Sequence, residues 1–169
     1  MEHKDGQFEV FLQPGEYYFG DRDTRIRTLL GSCVSFTAWH PKLRIGAMCH
    51  YMLPGRRGRI ADLDGRYGDE AVLWFFMEAA KHGTNPEDYE IKIFGGGDMF
   101  DRVVGAKHSI GKLNAILGLD MLQALGHRIV ARHVGGSGHR HIVFDIGTGD
   151  VWCRHVPLKN DKPEKAAIA

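Results

Sequence analysis

Residues 29–39 read L-L-G-S-C-V-S-F-T-A-W, followed by H-P-K-L at 40–43 and R-I-G-A-M-C-H-Y-M-L at 44–53. Both flanking runs are rich in aliphatic and aromatic residues and are short for helices, so they read as two strands of a hairpin. A loop of His40, Pro41, Lys42 and Leu43 pairs Trp39 with Arg44, and directly opposite residues then sum to 83. In that register Cys33 faces His50, with Cβ atoms about 4.5–5.5 Å apart. The other face carries Val34, Phe36 and Ala38 against Cys49, Ala47 and Ile45. It is uniformly apolar and is the expected core face, so Cys33 and His50 point away from the core interior. A slip of one residue would pair Cys33 with Cys49 and reverse the faces.

A thiol beside an imidazole is a nucleophile with its base, and ion pairing lowers such a thiol into the range of ~3.5–7.5. Gly31-Ser32 just before Cys33 leaves room for a substrate to approach the backbone, where the amide of Cys33 or a neighbour can donate to an oxyanion. The competing role for Cys33 is that of a small buried hydrophobe.

Outward from the hairpin, residues 8–12 and 16–19 read as short extended pieces separated by Pro14-Gly15, and 54–68 reads as a Gly-, Arg- and Asp-rich loop. Val72, Phe75, Phe76 and Ala79 recur at helical spacing and predict a helix over 69–82. Residues 90–94 alternate like a strand and run into Gly95-Gly96-Gly97. A second helix is expected at about 112–125, with Leu113, Ile116, Leu117, Met121 and Ala124 on its inner side. Strands are expected at 128–133, 140–145 and 151–156. The fold class is α/β, of α+β type: a layered sandwich with a largely antiparallel sheet and two helices packed on it. Residues 1–158 are expected to form a single domain, with 159–169 a polar tail.

The chain has 169 residues, 43% hydrophobic and 25% charged, with a net charge of +1. That is ordinary globular composition, and it excludes a disordered chain and a strongly basic nucleic-acid binder. The longest strongly apolar run, 71–77, is far short of a membrane span. The N-terminus M-E-H-K-D-G-Q lacks a secretory h-region. Cys33, Cys49 and Cys153 make an odd count, which argues for free thiols in a reducing cytoplasm.

Four further features have bland readings. Gly95-Gly96-Gly97 matches neither nucleotide fingerprint, and reads as a turn where backbone passes close to a neighbouring strand or to the active-site loop. His133, His139 and His141 lack a completing Cys or carboxylate, so hydrogen-bonded or solvated histidines are expected in place of a metal site. Arg56, Arg57 and Arg59 form a basic loop that reads as solvated, or as a rim steering an acidic partner. Cys49 and Cys153 read as packing residues.

T-L-L-G-S-C-V at 28–34, H-P at 40–41 and I-G-A-M-C-H-Y-M-L-P at 45–54 together resemble the chemoreceptor glutamine deamidase family, CheD. The resemblance extends through P-G-E-Y-Y at 14–18, R-Y-G-D at 66–69, I-F-G-G-G-D-M-F at 93–100 and I-G-K-L-N at 110–114. It continues in G-G-S-G-H-R at 135–140 and F-D-I-G-T-G at 144–149. It implies a cysteine hydrolase with a Cys-His-Thr set, needing no cofactor or metal, that converts glutamines of methyl-accepting chemotaxis receptors to glutamates through a thioester. Some members also hydrolyse receptor methyl esters. It implies that Cys33 is the nucleophile and His50 the base and acid. The family pattern sets a threonine six places before the cysteine, where this chain has Arg27; Thr28, five places before, is carried over as the third catalytic residue. The implied partners are cytoplasmic receptor helices, with no nucleic acid and no membrane insertion. The alternative is a regulatory binding partner of the phosphatase CheC.

Overall fold

The stretch T-R-I-R-T-L-L at 24–30 alternates strictly: Thr24, Ile26, Thr28 and Leu30 are buried and the residues between them are not. That period of two makes it a strand with one face inward. The computed structural model describes residues 6–56, 60–99 and 109–159. The strands are β1 (Phe8–Phe11), β2 (Tyr17–Gly20), β3 (Thr24–Leu30), β4 (Val34–His40), β5 (Ile45–Cys49), β6 (Glu90–Gly95), β7 (Ile129–Val134), β8 (His139–Asp145) and β9 (Val151–Val156); the helices are α1 (Gly68–Lys81) and α2 (Ile110–Ala124).

These strands form two sheets where the sequence suggested one. The four-stranded sheet runs β1-β3-β8-β9 and the five-stranded sheet β2-β5-β4-β6-β7. Both are mainly antiparallel, with β1–β3 and β6–β7 the parallel pairs. One apolar cluster joins β4 and β5 to α1 and α2 through Val34, Phe36, Ala47, Cys49, Phe75 and Leu122. A second joins the sheets to each other through Ile26, Leu30, Met48, Phe94, Ile142 and Phe144. The order of layers is therefore helices, five-stranded sheet, four-stranded sheet.

The run 29–39 is not one strand. Leu29 and Leu30 end β3 in one sheet, Val34 begins β4 in the other, and Gly31-Ser32-Cys33 carries the chain between them. The hairpin register also differs by two. Ala38 pairs with Ala47 and His40 with Ile45, so opposite residues sum to 85. The loop is Pro41 to Arg44, with Arg44 at a φ of 51° and its N–H donating to His40 O at 2.8 Å. His40 stays in the strand because its ring meets the edge of Tyr89 at 5.1 Å. A shift of two preserves which side chains share a face. The face bearing Cys33 and His50 is nevertheless not a solvent face: Cys33, Trp39 and Met48 pack into the cluster between the sheets.

Helix α2 turns a different side inward from the one its large residues suggest. Gly111, Asn114, Ala115, Gly118 and Leu122 are buried, whereas Leu113, Ile116 and Ala124 are exposed. The reason is close approach. A Cβ on Gly118 would lie 2.2 Å from the Tyr51 hydroxyl, and one on Gly111 would lie 2.4 Å from Gly97 O. Small residues bring the helix axis down onto the sheet, and Leu113 and Ile116 ride outside. The expected tail at 159–169 lies, from residue 160, outside the described residues.

Candidate active site

His50 follows β5 directly and is gripped on the β2 side. Its N–H donates to Glu16 O at 2.9 Å, and its carbonyl accepts from Gly15 N at 2.7 Å. The next residue, Tyr51, exchanges both backbone hydrogen bonds with Val34. Val34 and Tyr51 are thus a hydrogen-bonded pair, which puts Ser35 opposite His50 and Cys33 diagonal to it. Cys33 and His50 share the inter-sheet face without standing directly opposite each other, as the shifted register requires.

Thr28 reaches the same place from the other sheet. It is on the inward face of β3, buried between Ile26 and Leu30. Its Oγ1 donates to Leu12 O at 2.8 Å and lies 2.7 Å from His50 Nδ1. A hydroxyl has one hydrogen. Once that hydrogen is on Leu12 O, the His50 contact must run from Nδ1–H to the threonine oxygen. The proton of neutral His50 then resides on Nδ1, and Nε2 carries a lone pair. Nε2 is buried and has no partner among the described residues. Arg27 points the other way, half-exposed and paired with Glu9 at 2.8 Å.

Electrostatics corrects one expectation from the sequence. Burial pushes the Cys33 thiol above its ordinary value near 9, with its own backbone amide opposing. Burial also pulls His50 down from 6.5 to about 4, against the Leu12 carbonyl and the charge of Glu16. Both effects disfavour ions, so the Cys33 thiol and the His50 imidazole each rest neutral. A preformed ion pair would need more solvation than this layer provides.

The glycine run seats the backbone of the Cys33 loop. Gly95 has a φ of 110°, and a Cβ there would lie 2.3 Å from Cys33 O. Gly96 N donates to that oxygen at 2.8 Å, and Gly97 N donates to Gly31 O at 2.9 Å. The close backbone approach expected of this run is therefore present, and it is against the Cys33 loop.

Asn114, which closes the I-G-K-L-N stretch, is a polar residue of this region to which the sequence analysis assigned no role. It is fully buried on α2, and its Nδ2 donates to Ser32 O at 3.1 Å and to Met52 O at 2.7 Å. A polar residue on a helix face otherwise made of Gly, Ala and Leu was the available signal.

The remaining candidates lie elsewhere. Cys49 is fully buried in the helix-side core and pushed up to about 12 by burial. Cys153 is half-buried in the inter-sheet cluster, and burial raises it too. His133 Nδ1 accepts from Arg140 Nε at 2.8 Å, and the His139 and His141 rings contact each other at 5.3 Å. No group of three or more His, Cys, Asp or Glu side chains among the described residues could hold a metal ion. Arg56 is engaged by the buried Glu70 at 2.6 Å. Arg57 and Arg59 of the suggested basic rim lie outside the described residues.

The sequence matches the family model for CheD chemotactic sensory transduction over residues 52–155. The chain belongs to the CheD family. Among relatives, it is 52% identical over 145 residues to the Probable chemoreceptor glutamine deamidase CheD 3 of Dechloromonas aromatica, covering 85% of each chain. It is 46% identical over 156 residues to the corresponding protein of Pseudomonas savastanoi pv. phaseolicola, covering 91% of this chain and 88% of the relative. The CheD 2 of Albidiferax ferrireducens is 41% identical over 172 residues and 99% of each chain. The family-model match begins at Met52, after Thr28, Cys33 and His50, so the case for those three residues rests on their geometry.

Proposed function

We propose that this protein is a cysteine-dependent protein-glutamine deamidase acting on methyl-accepting chemoreceptors, with Cys33 as nucleophile, His50 as general base and acid, and Thr28 as the residue that holds the His50 ring. The observation that carries the reading is the Thr28–His50 hydrogen bond. It commits the imidazole proton to Nδ1 and leaves a buried Nε2 lone pair on the face shared with Cys33.

The chemistry follows from a neutral resting pair. As Cys33 Sγ bonds to the carboxamide carbon of a receptor glutamine, its proton passes to His50 Nε2, and the C–O double bond opens to an oxyanion. The new imidazolium is stabilised at Nδ1–H by the Thr28 oxygen. The oxyanion collapses, the C–N bond breaks, and Nε2–H gives its proton to the departing nitrogen, releasing ammonia. A thioester remains. Water then gives a proton to Nε2 and its oxygen to the carbonyl carbon; the C–S bond breaks, and the proton returns to sulfur as glutamate leaves. Coupling proton transfer to bond formation avoids a free thiolate, and the imidazolium forms only together with the oxyanion. A glutamate methyl ester would form the same thioester, with methanol leaving.

None of these steps requires a cofactor. The target is a protein side chain, so the partner is a cytoplasmic helix of the receptor, and the site of action is the cytoplasm. No helix among the described residues is long and apolar enough to cross a membrane. The test is incubation with a receptor cytoplasmic fragment and peptide mass mapping. Glutamine-to-glutamate conversion by wild type and not by Cys33→Ala supports the reading. Conversion by a folded Cys33→Ala protein overturns it.

A further inference from the structure

We propose that Asn114 is a positioning residue for the active site, its carboxamide clamping the Cys33 loop to the segment after His50. The proposal rests on the reading of Cys33 and His50 as nucleophile and base.

The ladder between β4 and the His50 segment ends at the Val34–Tyr51 pair. Beyond it lie Cys33 and Ser32 on one side and Met52 on the other, and no backbone bond between them holds the two segments at a fixed separation. Asn114 occupies that position. One side-chain amide nitrogen supplies two hydrogens, and they go to Ser32 O at 3.1 Å and Met52 O at 2.7 Å. These carbonyls belong to the residue before Cys33 and the second residue after His50. The same helix position takes a third bond, from the Tyr51 hydroxyl to Asn114 O at 2.8 Å. Position 114 is thereby tied to residues 32, 51 and 52, on both sides of the pair.

The carboxamide orientation is fixed by chemistry. Two carbonyl acceptors demand the NH2 end, so the Oδ1 end is turned elsewhere, and it is buried without a partner. A buried acceptor left unpaired costs stability. Holding the two loops is what the structure gains for that cost. Asp fits the same volume but offers no donor when ionised, and Leu fits it with none at all. The clamp therefore requires Asn for its chemistry and not for its size. Displacing a reacting group by about 1 Å can cost 100-fold in rate, which sets the scale of the effect.

The experiment compares wild type, Asn114→Leu, Asn114→Ser and Leu122→Ala, with Cys33→Ala as the reference for the function itself. Leu122 is buried on the same helix and touches neither loop through a hydrogen bond, so it reports general loosening of α2. Each protein is assayed for kcat and KM on the receptor fragment, for the rate of Cys33 alkylation by iodoacetamide, and for folding by circular dichroism. Asn114→Leu is expected to lose about 10- to 100-fold in kcat with KM changed less than about threefold, and to alkylate more slowly. Asn114→Ser is expected to move in the same direction, and decides the matter if the leucine variant does not fold. Leu122→Ala is expected to keep its kcat. Wild-type kcat and alkylation in folded Asn114 variants, or an equal kcat loss in Leu122→Ala, would overturn the clamp. Turnover by Cys33→Ala would instead overturn the functional reading, and the alkylation rates would still decide whether Asn114 sets the geometry around the thiol.

Discussion

The Thr28 hydroxyl and His50 Nδ1 are 2.7 Å apart, and they come from different sheets. Thr28 sits on β3 of the four-stranded sheet, and His50 directly follows β5 of the five-stranded one. The bond crosses the layer between them, with Leu12 O completing the chain at 2.8 Å. The imidazole is therefore held by the way the two sheets pack.

Thr28→Val keeps the shape and removes the hydroxyl. Nδ1–H then loses its threonine acceptor, and the ring can rotate or change tautomer. We expect a loss of roughly 10- to 100-fold in kcat/KM, smaller than the loss from Cys33→Ala, together with about 1–3 kcal/mol of stability. Thr28→Ser should restore most of both. Deamidation kinetics and urea unfolding measure the two effects. Full activity in the valine variant would remove Thr28 from the site.

Thiol reactivity should separate the three cysteines. Cys33 is half-buried on the face it shares with His50, whereas Cys49 is fully enclosed and pushed up to about 12. Iodoacetamide at neutral pH is expected to label Cys33 first and Cys49 last, and His50→Ala should slow the labelling of Cys33. Peptide mapping after brief exposure reads the order. Earlier labelling of Cys49 or Cys153 would contradict the assignment.

How far the sequence reveals this site depends on which forces are local. The hairpin, the two helices and the inward sets on β4 and β5 follow from periodicity, and periodicity survives a register shift of two. The register itself does not, because it depends on Arg44 entering the left-handed region and on His40 packing against Tyr89. β3 was hidden because Thr24, Arg25, Arg27 and Thr28 dilute its apolar alternation. Its membership of a second sheet is a long-range fact, set by pairing with β8 more than a hundred residues away. The role of Asn114 was hard to read for a related reason. Its partners are backbone carbonyls, which carry no residue signature, and the inner face of α2 is defined by small residues that hydrophobicity ranks low.

Cys33 and His50 should behave as one unit. Cys33→Ala is expected to abolish deamidation in a folded protein, and His50→Ala to be severely impaired, since both proton transfers use Nε2. The double mutant should be little worse than either single mutant, because removing one member already disables the other. Losses that multiply would indicate two independent contributions. Rates on the receptor fragment for the three variants, with circular dichroism as the folding control, decide between these outcomes.

The pH dependence follows from the same burial. His50 is pulled down to about 4, and His127, enclosed by Phe75 and Phe76, is also lowered by burial, with Glu87 opposing. In the unfolded chain both take up protons as pH falls through about 6.5. The folded protein resists that uptake, and for His50 it does so until about 4. Across this window the unfolded state binds more protons, so stability is complete above about pH 6.5 and declines as pH falls toward 4. His127→Phe removes one such contribution without touching the site, and should flatten the slope between about pH 7 and pH 5 in urea unfolding. Activity should respond at a different point. Nε2 stays unprotonated until His50 titrates, so the acid limb of kcat/KM in the intact protein is expected near pH 4, well below an ordinary imidazole. An acid limb near 6.5 would mean that the base is solvated or is not His50. A limb near 4 that disappears with the residual activity of His50→Ala would tie the proton to this ring.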